Sequence, residues 1–180
     1  MIGVLVSGEG TNLQALLDAG LPVVAVASNR HGAPALRRAA ARGIPTCAFE
    51  LGEHPDRAAR DAAMADWLEA HGVRLVVLAG YLHLLTPGFL ARFPRAVVNV
   101  HPSLLPAFPG LHAVEAQLAA GVAEAGATVH LVDEGVDSGP VLAQERVPVL
   151  AGDTPETLHR RIKAVEHRLL PAVVRELCER

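Results

Sequence analysis

Short runs of β-branched and apolar residues alternate with longer stretches rich in Ala, Leu and Arg, and this alternation limits the chain to few folds. Strands are expected over 3–7, 23–27, 46–49, 75–79 and 96–100. Helices are expected over 12–19, 34–42, 55–71 and 113–120. The βαβαβ rhythm implies a mostly parallel sheet covered by helices on both faces. The strand runs are almost continuously apolar, as strands buried on two faces must be. After Gly121 the rhythm changes. Two more strands are expected over 127–132 and 141–149, joined by a Gly-rich turn. A long helix then opens at Thr154, where Thr154-Pro155-Glu156 supplies an N-cap, a proline at the first helical position and early negative charge. In an open sheet of this kind a ligand sits at the carboxyl ends of the strands, so chemistry is expected just after Val6, Ala79 and Val100.

A chain of 180 residues suggests one domain, 1–180. The net charge is −3, Lys163 is the only lysine, and the arginines are scattered, so nucleic acid is not an expected partner. Cys47 and Cys178 lie far apart and fit no metal-ligand spacing, which argues for a reducing cytoplasm and against a disulfide framework. No apolar run reaches the ~20 residues that span a bilayer. The most continuous one, 73–85, is broken by Arg74, Gly80 and His83. The opening Met1-Ile2-Gly3-Val4-Leu5-Val6 is too short for a signal peptide and lacks a basic segment.

The first strand runs into Ser7-Gly8-Glu9-Gly10-Thr11-Asn12-Leu13. Two glycines let the backbone turn tightly and approach a ligand. The N–H groups of Gly10, Thr11 and Asn12 would then open a helix, where the dipole favours an anion. A dinucleotide site is disfavoured, because Leu13 replaces the third glycine of G-x-G-x-x-G and the second strand ends in Ser28-Asn29-Arg30 with no acidic residue for a ribose. No Gly-Lys-Ser/Thr follows, which excludes a P-loop. A phosphate monoester on a small substrate is the functional expectation; an ordinary capped turn is the plain alternative.

In Val97-Val98-Asn99-Val100-His101-Pro102-Ser103, Asn99 and His101 are two residues apart on a strand and share a face. Two polar side chains at the end of an apolar strand break its pattern, and such breaks usually have a functional cause. Pro102 keeps His101 extended. An amide N–H and a protonated imidazole could grip a carbonyl oxygen as it turns anionic, at roughly 3–4 kcal/mol per donor. A carboxylate nearby would favour the charged imidazole. Asp133, Glu134 and Asp137 in a glycine-containing loop are the candidates, and residue type alone does not choose among them. Ser103 lies in no nucleophile elbow and no His-x-x-x-His or Cys-x-x-Cys pattern exists, so neither a serine triad nor a metal site is expected.

Over nearly its whole length the chain resembles the folate-dependent phosphoribosylglycinamide formyltransferase family. The resemblance rests on Ser7-Gly8-Glu9-Gly10-Thr11-Asn12-Leu13-Gln14, Leu78-Ala79-Gly80-Tyr81, Asn99-Val100-His101-Pro102-Ser103-Leu104-Leu105-Pro106, Pro109-Gly110-Leu111-His112 and Gly135-Val136-Asp137-Ser138-Gly139-Pro140, all in family order. It implies a Rossmann-like α/β fold of about seven strands. The half 1–100 would bind phosphate and the half 101–180 would carry the folate and catalytic residues. It implies a catalytic set of Asn99, His101 and Asp137, which chooses among the three acids. It implies substrate contacts at Gly10, Thr11, Asn12 and Leu13, with Glu166 on the sugar. The folate, 10-formyltetrahydrofolate, is implied to meet Arg57, Leu82, His83, Leu84 and Leu85, with Asn99 and the loop Asp133, Glu134, Gly135, Val136 and Asp137. His83 stands where an arginine is common.

The implied reaction is direct formyl transfer from 10-formyltetrahydrofolate to the amine of glycinamide ribonucleotide, with no covalent enzyme intermediate and no metal. Asp137 would hold His101 charged and, with a water, move the proton. The implied partners are these small molecules, in the cytoplasm, with no nucleic acid and no membrane; a homodimer is left open. Relatives that formylate methionyl-tRNA carry a basic C-terminal domain, and those that hydrolyse formylfolate carry an N-terminal regulatory one. The expectation is that neither is present. A nucleotide-dependent oxidoreductase or a non-catalytic nucleotide-binding module is the rival of another class.

Overall fold

A computed structural model describes residues 1–179. The strands, in chain order, are β1 (Ile2–Val6), β2 (Val23–Ser28), β3 (Thr46–Ala48), β4 (Leu75–Leu78), β5 (Val97–His101), β6 (Glu124–Leu131) and β7 (Val141–Pro148). The α-helices are α1 (Thr11–Asp18), α2 (Pro34–Ala40), α3 (Arg57–Ala70), α4 (Pro87–Arg92), α5 (Ala113–Ala119) and α6 (Pro155–Glu179). The strand order is β3-β2-β1-β4-β5-β6-β7. This is the expected α/β class with a mostly parallel sheet. Each expected element is present, its ends shifted by up to three residues. The short α4 and a single 3-10 turn at Leu51–Glu53 were not expected.

The chain forms two compact units, one of Met1–Val98 and one from Asn99 onward. In the first, β1 pairs in parallel with β2 and β4, and β2 with β3. All five residues of β1 are buried, so Val and Leu on both faces are repaid by burial at roughly 25 cal/mol per Å² of apolar surface. Helix α1 seats Leu13, Leu16 and Leu17 at helical spacing. Helix α3 begins at an Asp56 cap, whose side chain accepts from the Ala59 N–H at 2.8 Å.

In the second unit β6 and β7 pair antiparallel, Glu124 opposite Pro148. Leu158, Ile162 and Val165 of α6 pack with Ala125 and Ala127 of β6, Val147 of β7 and Val114 of α5. At the start of α6, Thr154 Oγ1 accepts from the Thr157 N–H at 3.3 Å, as its N-cap pattern implied. No helix among the described residues is long and apolar enough to cross a membrane.

Candidate active site

Strand β5 delivers Asn99 and His101 to one side, two residues apart, while Val98 and Val100 are buried on the other. Asp137, from the loop after β6, meets both. Its Oδ2 is 3.2 Å from His101 Nδ1, and its Oδ1 accepts from Asn99 Nδ2 at 3.3 Å. The Gly110 N–H donates to Oδ2 at 2.8 Å. A second imidazole closes the group: His130 Nε2 lies 3.4 Å from Asp137 Oδ1 and 3.3 Å from Asn99 Nδ2, and its Nδ1 donates to the Leu131 carbonyl at 2.8 Å.

Burial by itself pushes the Asp137 carboxyl upward. The hydrogen bonds from His130 and the Gly110 N–H, with the charges of His101 and His130, outweigh it and hold the acid down at about 2. Asp137 is therefore a carboxylate throughout the neutral range. His101, 5% exposed, faces Asp137 at Nδ1 and the Phe108 carbonyl at Nε2, 2.8 Å away. Both neighbours are acceptors, and a ring so placed satisfies both only by donating from both nitrogens.

The loop that carries Phe108 is itself braced. Ser103 Oγ donates to the Ala107 carbonyl at 2.6 Å. Thr128 Oγ1 donates to the Ser103 carbonyl and accepts from the Leu105 N–H, and Gln144 Nε2 donates to the Leu105 carbonyl. The Leu105–Pro106 bond is cis. Phe108 and Asp137 both have left-handed backbone, φ 54° and 50°, a conformation costly for non-glycine residues and here held by the surrounding hydrogen bonds. Gly139 cannot carry a side chain, since a Cβ there would lie 1.8 Å from the Leu131 carbonyl.

In the first unit, Gly10 caps α1 in the left-handed region at φ 74°. A Cβ on Gly10 would come within 2.5 Å of Ala35 Cβ, so conformation and close approach both require glycine there. Gly10, at the N-cap position, makes no side-chain cap bond, and a helix N-terminus of this kind can meet an anion. Arg38 of α2 clasps the loop by donating from Nε to the Glu9 carbonyl at 2.7 Å. Thr11 is half-buried and Asn12 buried. The Leu13 side chain is wholly buried, so only its backbone can face a ligand.

The stretch after β4 carries Leu82, His83 and Leu84 exposed and Leu85 buried. Arg57, the first residue of α3, is exposed. Asp133, Glu134, Gly135 and Val136 are exposed in the loop of Asp137, where Asp133 Oδ1 accepts from the Gly135 N–H and Ser138 Oγ. Glu166, on α6, is 4% exposed.

The structure thus brings Asn99, His101 and Asp137 together. Sequence reasoning missed His130, Arg38 and the Arg60–Asp61 pair. His130 lies one residue before the end of β6, where it interrupts an apolar run, and that break in pattern could have marked it. Arg60 and Asp61 fall on the stripe that continues to Met64, Ala65 and Leu68, so charge on a core-facing helical stripe was their signal.

Comparison with known proteins bears on this arrangement. Residues 1–174 match the family model described as formyl transferase. The chain is 50% identical, over 179 residues, to a phosphoribosylglycinamide formyltransferase of Mycobacterium tuberculosis (strain CDC 1551 / Oshkosh), covering 97% of this chain and 83% of the relative. It is similar in structure to glycinamide ribonucleotide transformylase 1 from Symbiobacterium toebii, with TM-score 0.97 and 49% identity over 99% of this chain and 87% of that one. The phosphoribosylglycinamide formyltransferase from Streptococcus pneumoniae TIGR4 superposes with TM-score 0.94 and 43% identity, over 98% and 97% of the two chains.

Proposed function

The chain belongs to the formyl transferase family, and from that premise we propose how its residues divide the work. The reaction is transfer of the formyl group of 10-formyltetrahydrofolate to the amine of phosphoribosylglycinamide, a step of purine biosynthesis. The amine nitrogen attacks the formyl carbon and a C–N bond forms. The carbonyl oxygen becomes an alkoxide, and the bond to folate N10 then breaks. The proton lost by the attacking nitrogen ends on N10 of the departing tetrahydrofolate.

The observation that carries the assignment of roles is the contact of Asn99, His101 and Asp137. Asn99 Nδ2 supplies a donor to the alkoxide, and the His101 imidazolium, its two N–H groups held by Asp137 and the Phe108 carbonyl, supplies positive charge. Asp137, ionised at neutral pH, keeps His101 charged and relays the nitrogen's proton through water. The α1 N-terminus at Gly10, Thr11, Asn12 and the Leu13 backbone holds the phosphate, and Glu166 takes sugar hydroxyls. Arg57, Leu82 to Leu85 and the 133–137 loop receive the folate. The proposed setting is the cytoplasm. Light scattering answers whether two copies pair.

The test is formyl transfer by purified protein supplied with 10-formyltetrahydrofolate and phosphoribosylglycinamide. Turnover is expected with the wild type and a loss of about 100-fold or more with Asn99→Ala or His101→Ala. Near wild-type turnover in both variants would falsify the catalytic assignment.

A further inference from the structure

His83 is exposed, yet both of its ring nitrogens are engaged. Arg60 Nη1 lies 2.7 Å from Nδ1, and the Asn29 amide lies 3.1 Å from Nε2. Arginine only donates, so Nδ1 must accept and the ring's single proton sits on Nε2. The Asn29 amide then meets Nε2 with its oxygen. Turning it over sacrifices no bond, because Asn29 Oδ1 otherwise has no partner among the described residues.

Arg60 and Asp61 are wholly buried and paired, with Arg60 Nε and Nη2 both on Asp61 Oδ1. A buried ion pair adds little net stability, so its use is better sought in what its remaining atoms hold. Asp61 Oδ2 accepts from the Thr86 N–H at 2.8 Å, and Arg60 Nη1 holds His83. A third anchor is the Leu82 N–H, which donates to Ser7 Oγ at 3.0 Å. Between the anchors Leu82 and Leu84 stand 62% and 50% exposed, two large apolar side chains on one short segment whose backbone is tied at both ends.

We infer that His83 is a positioning residue: as a neutral imidazole locked between Arg60 and Asn29, it fixes the display of Leu82 and Leu84 that receives the folate. This rests on the proposed assignment of 82–85 to the folate. It also assigns His83 a role other than that of a cation on the ligand. The charged and titratable groups around the ring are Arg60, Asp61 and Arg57 of α3 and Tyr81 of its own segment, whose ring packs edge-on at 5.9 Å. Burial lowers the proton affinity of His83, Arg60 and Arg57 lower it further, and Asp61 opposes them. The Tyr81 hydroxyl, pushed up to about 12 chiefly by burial, stays uncharged. Protonating Nδ1 would set two cations against each other, so the latch is complete above the ordinary histidine value of 6.5 and opens as the pH falls through the lower value of the folded protein.

The test measures KM for 10-formyltetrahydrofolate and kcat against pH in the wild type, His83→Ala, His83→Asn and Leu82→Asp/Leu84→Asp. His83→Ala is expected to raise KM about tenfold, with a smaller change in kcat. His83→Asn offers Arg60 an amide oxygen that does not titrate. It is expected to restore the wild-type KM at neutral pH and to abolish the rise in KM on the acid side. An unchanged KM in His83→Ala, or an acid rise that persists in His83→Asn, overturns the inference. The double leucine variant tests the folate assignment separately: if its KM is unchanged, that assignment fails whatever His83 does.

Discussion

A histidine stabilises a developing anion only while its own hydrogen bonds leave it a proton to give or a charge to offer. His101 meets an acceptor at each nitrogen, and one of them, Asp137, stays ionised down to about pH 2. Because this carboxyl is depressed below its ordinary 3.8, the stability it contributes is complete above 3.8 and lost as the pH falls through about 2. Any loss of kcat between about pH 8 and pH 5 therefore comes from another group. Asp137→Asn is expected to lose turnover at every pH and to flatten the acid-unfolding curve of the wild type between those two values. An acid limb of kcat in that range that vanishes in Asp137→Asn would contradict this reading. His130 touches both Asn99 and Asp137, so His130→Ala should cost about 100-fold in kcat through misalignment, with KM for either substrate less affected. Steady-state kinetics on a variant with unchanged circular dichroism checks it. Asn99 and His101 were legible because they interrupt an apolar strand. The choice of Asp137 over Asp133 and Glu134 came from the resemblance, and its contacts exist only once the 131–139 loop folds back on β5.

Elements succeed or fail at their ends. Helix α1 starts on a left-handed Gly10 packed against Ala35, so Gly10→Ala should destabilise the protein by about 1–3 kcal/mol. It should also weaken phosphoribosylglycinamide more than folate. Urea melts and paired KM values read both effects, and a melt unchanged from wild type would show the αL strain to be absent. Helix α4 escaped sequence reading because its six residues are too few for periodicity, although Thr86 caps it and Pro87 occupies its first turn. Strand β6 was expected to begin at 127 and begins at Glu124, because pairing with β7 extends it past Gly126. Partner strands, rather than local composition, decide how far a strand runs. The charged pair Arg60–Asp61 on the core stripe of α3 shows the converse: periodicity marked the face, and only the loop it anchors explains charge on it.

Across the whole molecule, most of the stability comes from buried apolar side chains that take no part in the proposed chemistry. Ile162 and Leu158 are fully buried where α6 covers β6 and β7. Ile162→Ala should cost about 2–5 kcal/mol in unfolding free energy. At a temperature where the variant is folded it should leave kcat within about twofold, since the core that Ile162 packs into includes none of Asn99, His101 and Asp137. Thermal denaturation alongside the formyl-transfer assay checks both halves, and a large fall in kcat without a fall in stability would contradict it. The sequence by itself determined the α/β class, the order of the seven strands along the chain, the glycine-rich helix entry and the Asn-x-His pair. Those features are local: they depend on side-chain period, on glycine and proline, and on residues two or three apart. Tertiary structure alone decided that Asp137 and His130 flank Asn99, that Arg38 clasps the first loop, and that Arg60 holds His83. Each of those joins residues tens of positions apart, and chain connectivity leaves such distances open until burial of the apolar faces closes them.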